Sequence, residues 1–407
     1  MTSAKESSPS GSPPATPWGL VVLLGAITAM GPLAIDMYLP TLPAIGADLN
    51  ASPAATQATV AAFLAGMAIG QVFYGPWADR VGRRPPLLIG TAIFAVASVA
   101  CALAPTIEFL LAGRFVQALG ACAGGVVARA VVRDLFDHTE TARVLSLMML
   151  IMGLAPILAP ILGSLLLAFG GWSSSFWFQA VFGVLITAAV LTRLRESRSE
   201  AAAIQAASEN PLQSYLALIR QPRLVGYALA GALNGATLFT YIASSPGLMM
   251  GAYGLSPAVF PWVFGLNAVA VIGAGQVNRW ILRRVTPDRV LARVSLIAVG
   301  VAVLLVLAAV TGWGERWSVL PLLFVLLASF GFMQGNTMAG ALSVDPLRAG
   351  STSALSGAAS FAVGALAASL AGAFHDGTAR PMAVVMLVSL TGSALALHRL
   401  ALPKPQP

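Results

Sequence analysis

Lysine is nearly absent from this chain of 407 residues; the two present, Lys5 and Lys404, both sit in polar tails. A phosphate-binding loop of the form G-x-x-x-x-G-K-[ST] requires a lysine beside its glycines, so the sequence argues against an ATP-driven pump. Cysteine is as scarce. Cys101 and Cys122 lie inside apolar runs, which argues against a disulfide framework or a zinc site. The three histidines, His138, His375 and His398, are scattered and form no acid–base or metal cluster. Charged residues make up only 9% of the chain, whereas soluble domains carry roughly 25%. The longest polar interruption, about 193–223, is too short for a separate catalytic domain, so an enzyme embedded in the membrane is a poor reading.

What fills the chain is apolar: 57% of residues, with a mean hydropathy of +0.83. It reads as an integral membrane protein. The net charge of +8 does not indicate nucleic acid, because the arginines sit in short clusters between apolar runs rather than on one domain face. Residues 1–17 are Ser/Pro-rich and read as a disordered tail. The apolar run that follows is long enough to span, unlike a cleaved signal peptide. Runs near the roughly 20 residues a bilayer requires fall at 18–38, 54–75, 86–105, 107–128, 143–168, 173–192, 224–245, 258–280, 290–310, 317–340, 351–374 and 379–400. The expectation is twelve transmembrane helices in two six-helix bundles, 18–192 and 224–400, joined by a linker over 193–223 and closed by a tail over 401–407.

Arginine placement orients the chain. With both termini cytoplasmic, Lys5, Lys404 and most of the arginines flank inner ends, while Arg316 and Arg380 fall outside. "ADRVGRRP" after the second run is echoed by "VNRWILRR" after the eighth, with Asp79-Arg80 and Asn278-Arg279 lying 199 positions apart. Such an echo suggests internal duplication, and two halves around a midplane site is a transporter architecture.

Within "GQVFYGPWADRVGRRPPLL" (70–88), Gly75 would let its helix approach a neighbour, and Asp79 stands where it could cap a helix end. Arg80, Arg83 and Arg84 crowd a short turn that Gly82 makes possible. The string resembles the loop 2–3 signature of the major facilitator superfamily. "GRFVQALGACAGG" (113–125) is similar to that family's R-x-x-Q-G motif at Arg114, Gln117 and Gly120. "GLAPILAPILGS" (153–164) resembles its antiporter motif, with Ala159 and Ser164 where glycine is usual. "AIDMYLPTLP" (34–43) and "YIASSPGLMMGAYGLSP" (241–257) look most like the bicyclomycin/chloramphenicol-resistance (Bcr/CflA) branch. The resemblance implies a multi-pass protein of the bacterial inner membrane, exporting small amphipathic drugs against an inward proton flow. It implies antibiotic resistance as the outcome, and no cofactor beyond the proton. Export of a metabolite such as a sugar or nucleobase is the alternative on the same scaffold. The expected partners are a small-molecule substrate and the lipid bilayer, with no nucleic acid and a monomeric state.

The residues themselves carry part of that reading. Gly153, Pro156, Pro160 and Gly163, spaced by three and four, put helix-breakers on one face, suited to sealing against the other half. Asp36 and Arg114 are the opposite charges placed clearly inside spans. With the first span ending near Pro40, Asp36 lies about 6 Å in, and Arg114 about 10 Å, at 1.5 Å per residue. An intramembrane charge costs roughly 2.5–3.5 kcal/mol and marks a functional site by default. A carboxylate wet at the interface, or an arginine bracing helix backbones, would explain each charge singly. A proton-coupling pair explains both. Tyr38, Phe63, Gln117, Met152, Asn234, Tyr241, Asn267, Gln334 and Asn336 are the candidate lining of a substrate cavity.

Overall fold

A computed structural model describes residues 18–198 and 210–402. The expected tails at 1–17 and 403–407, and the middle of the linker, lie outside the described residues. Twelve long helices run through the rest: α1 (Trp18–Asp36), α2 (Pro53–Val81), α3 (Arg84–Ala102), α4 (Ile107–Leu135), α5 (His138–Gly170), α6 (Ser173–Arg193), α7 (Pro222–Pro246), α8 (Phe260–Ile281), α9 (Pro287–Thr311), α10 (Arg316–Val344), α11 (Ala349–Ala373) and α12 (Arg380–Ala396). No strand occurs among the described residues.

Helix ends follow local chemistry. The Ser52 hydroxyl accepts from Ala55 N at 3.2 Å to start α2, and Thr106 accepts from Phe109 N at 3.3 Å to start α4. Asp137 accepts from Thr139 N and Glu140 N, opening α5. Pro53, Pro222 and Pro287 occupy first turns, where a missing N–H costs nothing. Gly82 ends α2 at φ +105°, a backbone that side-chain-bearing residues rarely adopt. Pro105 falls in the gap between α3 and α4.

Several helices outrun their apolar stretches. α2 continues to Val81 and α4 to Leu135, because hydropathy marks the bilayer's edge rather than the end of the helical hydrogen bonds. At the other end α1 is shorter than expected. It stops at Asp36, and a 3-10 turn (Leu39–Thr41) and a short helix (Leu42–Asp48) carry the chain onward. Asp36 is therefore the last residue of α1 rather than a residue one turn inside its end. A short helix, Pro211–Ile219, interrupts the expected linker, and a π-helical turn, Leu397–Ala401, prolongs α12 into the expected tail.

Eleven helices of the described residues are long and apolar enough to cross a membrane; α7 is the exception. Its 25 residues reach about 37 Å, ample for a core near 30 Å. Its hydropathy is lowered by Asn234, Thr237, Thr240, Tyr241 and Ser245, all buried among other helices.

The helices before residue 198 meet those after residue 210 chiefly where α2 packs on α11 and α5 on α8. α11 is rich in Ala, Gly and Ser, so backbones can approach closely. Hydrogen bonds cross between these helix sets at the arginine-poor end: Gln57 Nε2 donates to Ser244 Oγ at 2.5 Å, and Ser164 Oγ to the Pro257 carbonyl at 2.6 Å. The 3-10 turn after α1 also packs on α7.

Candidate functional site

Arg114 is fully buried on α4. Its Nη1 donates to Gln117 Oε1 at 2.6 Å, and Gln117 Nε2 donates in turn to Ser98 Oγ and Gln179 Oε1, both at 2.7 Å. One polar chain thus ties α3, α4 and α6. The guanidinium lies over the rings of Tyr38 (4.2 Å) and Phe63 (4.3 Å), with Phe176 at 5.8 Å. Desolvated cation–π contacts of this kind contribute about 2 kcal/mol. Tyr38 is itself fixed: its hydroxyl meets Thr59 Oγ1 at 2.8 Å, and Thr59 donates to the Thr56 carbonyl. Arg114 Nε and Nη2 have no hydrogen-bond partner.

Asp36 is 4% exposed and belongs to none of the four ion pairs among the described residues. The expected pair with Arg114 is not formed. Tyr38, two residues on, fills the place in front of the guanidinium. Asp36 instead lies within electrostatic reach of the Tyr241 hydroxyl on α7. That hydroxyl accepts from Asn267 Nδ2 of α8 at 2.8 Å, and the Tyr241 ring stacks on Phe264 at 5.3 Å. The turn that follows Asp36 packs on α7, so the carboxylate lies near the seam between the two helix sets.

A charged cluster, here called the latch, ties the ends of α2, α4 and α6 together at the arginine-rich end. Arg83 contacts Asp79 and donates from Nε to Asp134 Oδ2 at 2.8 Å. Glu196, just past α6, accepts from the backbone N–H of Arg83 at 2.8 Å and of Arg84 at 3.1 Å. Arg198 Nη1 donates to the Asp79 and Arg80 carbonyls, and Arg84 Nη2 to the Leu191 carbonyl. Burial works to lower the Arg83 pKa, but the carboxylates of Asp134 and Asp79 outweigh it and push it up. Burial likewise works to raise Glu196, yet hydrogen bonds from Arg83, Arg198, Arg84 and Ser197 N–H groups hold it below the usual carboxylate range.

A family model described as Major Facilitator Superfamily matches residues 24–399. The chain belongs to the Major Facilitator Superfamily. It is 35% identical over 385 residues to the uncharacterized MFS-type transporter YdgK of Bacillus subtilis, covering 94% of this chain and 95% of that one. It is 30% identical over 378 residues to a bicyclomycin resistance protein homolog of Haemophilus influenzae, covering 93% and 95%. A multidrug resistance protein MdtL of Escherichia coli is 40% identical over 243 residues, covering 60% of this chain and 61% of that protein. Among solved structures, a D-xylose-proton symporter superposes with a TM-score of 0.71 at 15% identity, over 94% of this chain and 96% of the other. That likeness fixes the fold. The chain is a multi-pass membrane transporter, not an enzyme.

Set in the major facilitator fold, the candidate residues separate into groups. Tyr38, Phe63 and Gln117 surround Arg114 rather than line a separate drug cavity. Asn336 exchanges hydrogen bonds with Asn278, and Asn234 donates toward Ser329 and Met333, so these amides hold helices together. Tyr241 and Asn267 bond each other and so tie α7 to α8. Gln334 keeps a buried, unpartnered Oε1, while Met152 is exposed. On α5, a side-chain atom at Gly153 would touch Ile272 of α8, but one at Gly163 would collide with the Met37 carbonyl. The breaker-bearing helix thus packs against α8 at Gly153 and against Met37, just past α1, at Gly163, not against one partner throughout.

Two loop expectations are corrected. Nothing lies within 4 Å of a Cβ built at Gly75, so no close approach occurs there; Gly66 and Gly70, further up α2, make it against Phe115, Ala118 and Cys122. Asp79 does not cap a helix end but accepts from the Arg83 side chain. Asp134, Glu196, Arg198, Ser98 and Gln179 were not among the residues singled out from sequence. "VVRDLFD" and "RLRESR" do carry acids at span ends, but no local pattern says which arginine they meet.

Proposed function

We propose that the chain is a proton-coupled antiporter that exports small amphipathic drugs across the bacterial inner membrane by alternating access. The observation that carries this is Asp36: a buried carboxylate, without an ion-pair partner, at the joint between the halves. An unpaired ion in a dry site costs several kcal/mol, so the carboxylate needs either a proton or a cation. Arg114 is a buried cation in the same half, with two guanidinium nitrogens unpartnered. The working cycle is an exchange: Asp36 holds a proton in one conformation and turns to Arg114 in the other, with Tyr38 moving out of the way. Because the turn after Asp36 packs on α7 of the other half, rocking the halves changes what Asp36 faces. One charge crossing about 100 mV supplies about 2.3 kcal/mol. The direction and the drug class rest on the names of the relatives.

The deciding measurement is substrate-induced proton release from purified protein, beside drug susceptibility of a pump-deficient host with and without a protonophore. Asp36→Asn keeps size and polarity but cannot titrate. It is expected to abolish proton release and protonophore-sensitive resistance while retaining some drug binding. Wild-type proton release by Asp36→Asn would remove Asp36 from the mechanism.

A further inference from the structure

Outside the transport site, α8 and α9 stand apart over α10 and leave an outward-facing groove of about 360 Å³. Its walls are apolar, with Val285 beyond α8, Val294 and Ile297 on α9, and Phe332 on the α10 floor. Arg289 and Arg293 also line it. They lie one helical turn apart on α9, on the same face. Neither belongs to any of the four ion pairs among the described residues. Asp288, beside them in sequence, is engaged elsewhere: it accepts from the Tyr227 hydroxyl at 2.7 Å and pairs with Arg223 at 3.9 Å. The exposed indole of Trp280 carries Arg284 at 6.0 Å, a pairing suited to the headgroup level.

We propose that this groove is a binding site for one anionic phospholipid, its phosphate held between Arg289 and Arg293 and an acyl chain lying along α9. The dimensions fit. From Arg289 to Val301, the last lining residue of α9, twelve steps of 1.5 Å give about 18 Å, against about 15 Å for one leaflet of the hydrocarbon core. Arginine offers planar donors that match phosphate oxygens in pairs. Orientation of the chain in the membrane would need the positive charge but not the groove beneath it. The first half supplies a contrast: a groove of about 550 Å³ over α3 and α4, including Val96 and Val116, has no charged residue in its lining. It can take an acyl chain but cannot select a headgroup.

The test uses the full-length purified protein in detergent, titrated with phosphatidylglycerol or phosphatidylcholine and read by native mass spectrometry. One phosphatidylglycerol should bind in preference to phosphatidylcholine. Arg289→Gln with Arg293→Gln should weaken phosphatidylglycerol roughly ten- to thirtyfold and erase the preference. Both arginines are exposed, so the variant should keep its elution profile. Val96→Trp, in the uncharged groove, should leave the preference intact, and glycerol phosphate at matched concentration should not displace the lipid. Equal binding of the two lipids by the unaltered protein, retained preference in the double variant, or displacement by glycerol phosphate would each overturn the assignment.

Discussion

Arg114 holds its charge in an unusual way for a buried cation, through two aromatic faces and one amide rather than a carboxylate. Its planar head is what makes that possible, since a flat guanidinium can stack on Tyr38 and Phe63 and still reach Gln117 in its own plane. An ammonium has no plane to stack. Arg114→Lys should therefore insert and fold, because the charge is kept, yet lose roughly tenfold or more in coupled transport as about 1–2 kcal/mol of stacking disappears. Proteoliposome uptake driven by a pH gradient measures it; transport at the normal rate would mean that charge alone suffices. The charge of Arg114 and of Asp36 was legible in the sequence because both stand inside apolar runs. Their separation was not. Depth counted along two helices says nothing of azimuth, and Tyr38, only two positions from Asp36, takes the slot that a depth-matched carboxylate was expected to fill.

Among the elements, the latch at the arginine-rich end sets the ends of α2, α4 and α6 against one another. Its two acids are unequal. Asp79 is half exposed and reaches Arg83 across the Gly82 turn, so water screens its side of the pair. The Asp134 side chain is 17% exposed and comes from a different helix, so its loss leaves a guanidinium that is 8% exposed with only the half-exposed Asp79 as an acidic partner. Asp134→Asn should consequently slow transport more than Asp79→Asn does, by roughly tenfold against twofold or less. Comparing initial rates at matched expression decides it, and equal effects would reduce the latch to a topological anchor. Glu196 adds a pH argument. Its folded pKa is depressed, so its contribution is present above the unfolded value and is lost only as pH falls through the lower folded one. The latch should thus be indifferent to pH between about 5 and 8, well above the ordinary carboxylate range, and the ratio of variant to unaltered rates should stay flat there. The loop was legible as a signature, and Gly82 as the residue that permits its tight turn. The acids completing it come from helix ends 51 and 113 positions away, a separation no local pattern spans.

For the whole molecule, the twelve-helix fold could be read from hydropathy, since lipid imposes length and apolarity on nearly every helix. α7 shows where that signal fades: a helix surrounded by protein need not be apolar, and it is the helix on which the turn after Asp36 packs. Which end of the two halves is closed follows from side chains, not from composition. Gln57 to Ser244 and Ser164 to Pro257 join the halves at the arginine-poor end, the face expected to lie outside. In alternating access these contacts must break once per cycle. Gln57→Cys combined with Ser244→Cys brings two thiols to that seam, while Cys101 and Cys122 remain buried and unreactive. A short, membrane-impermeant, cleavable thiol cross-linker added outside intact cells is expected to join the pair and stop transport, and a reducing agent to restore it. Either single-cysteine variant should transport through the same treatment. Cross-linking only after the cells are opened would put this seam on the cytoplasmic side and reverse the orientation. Transport that continues through a completed cross-link would mean that the two halves do not part at this seam during the cycle.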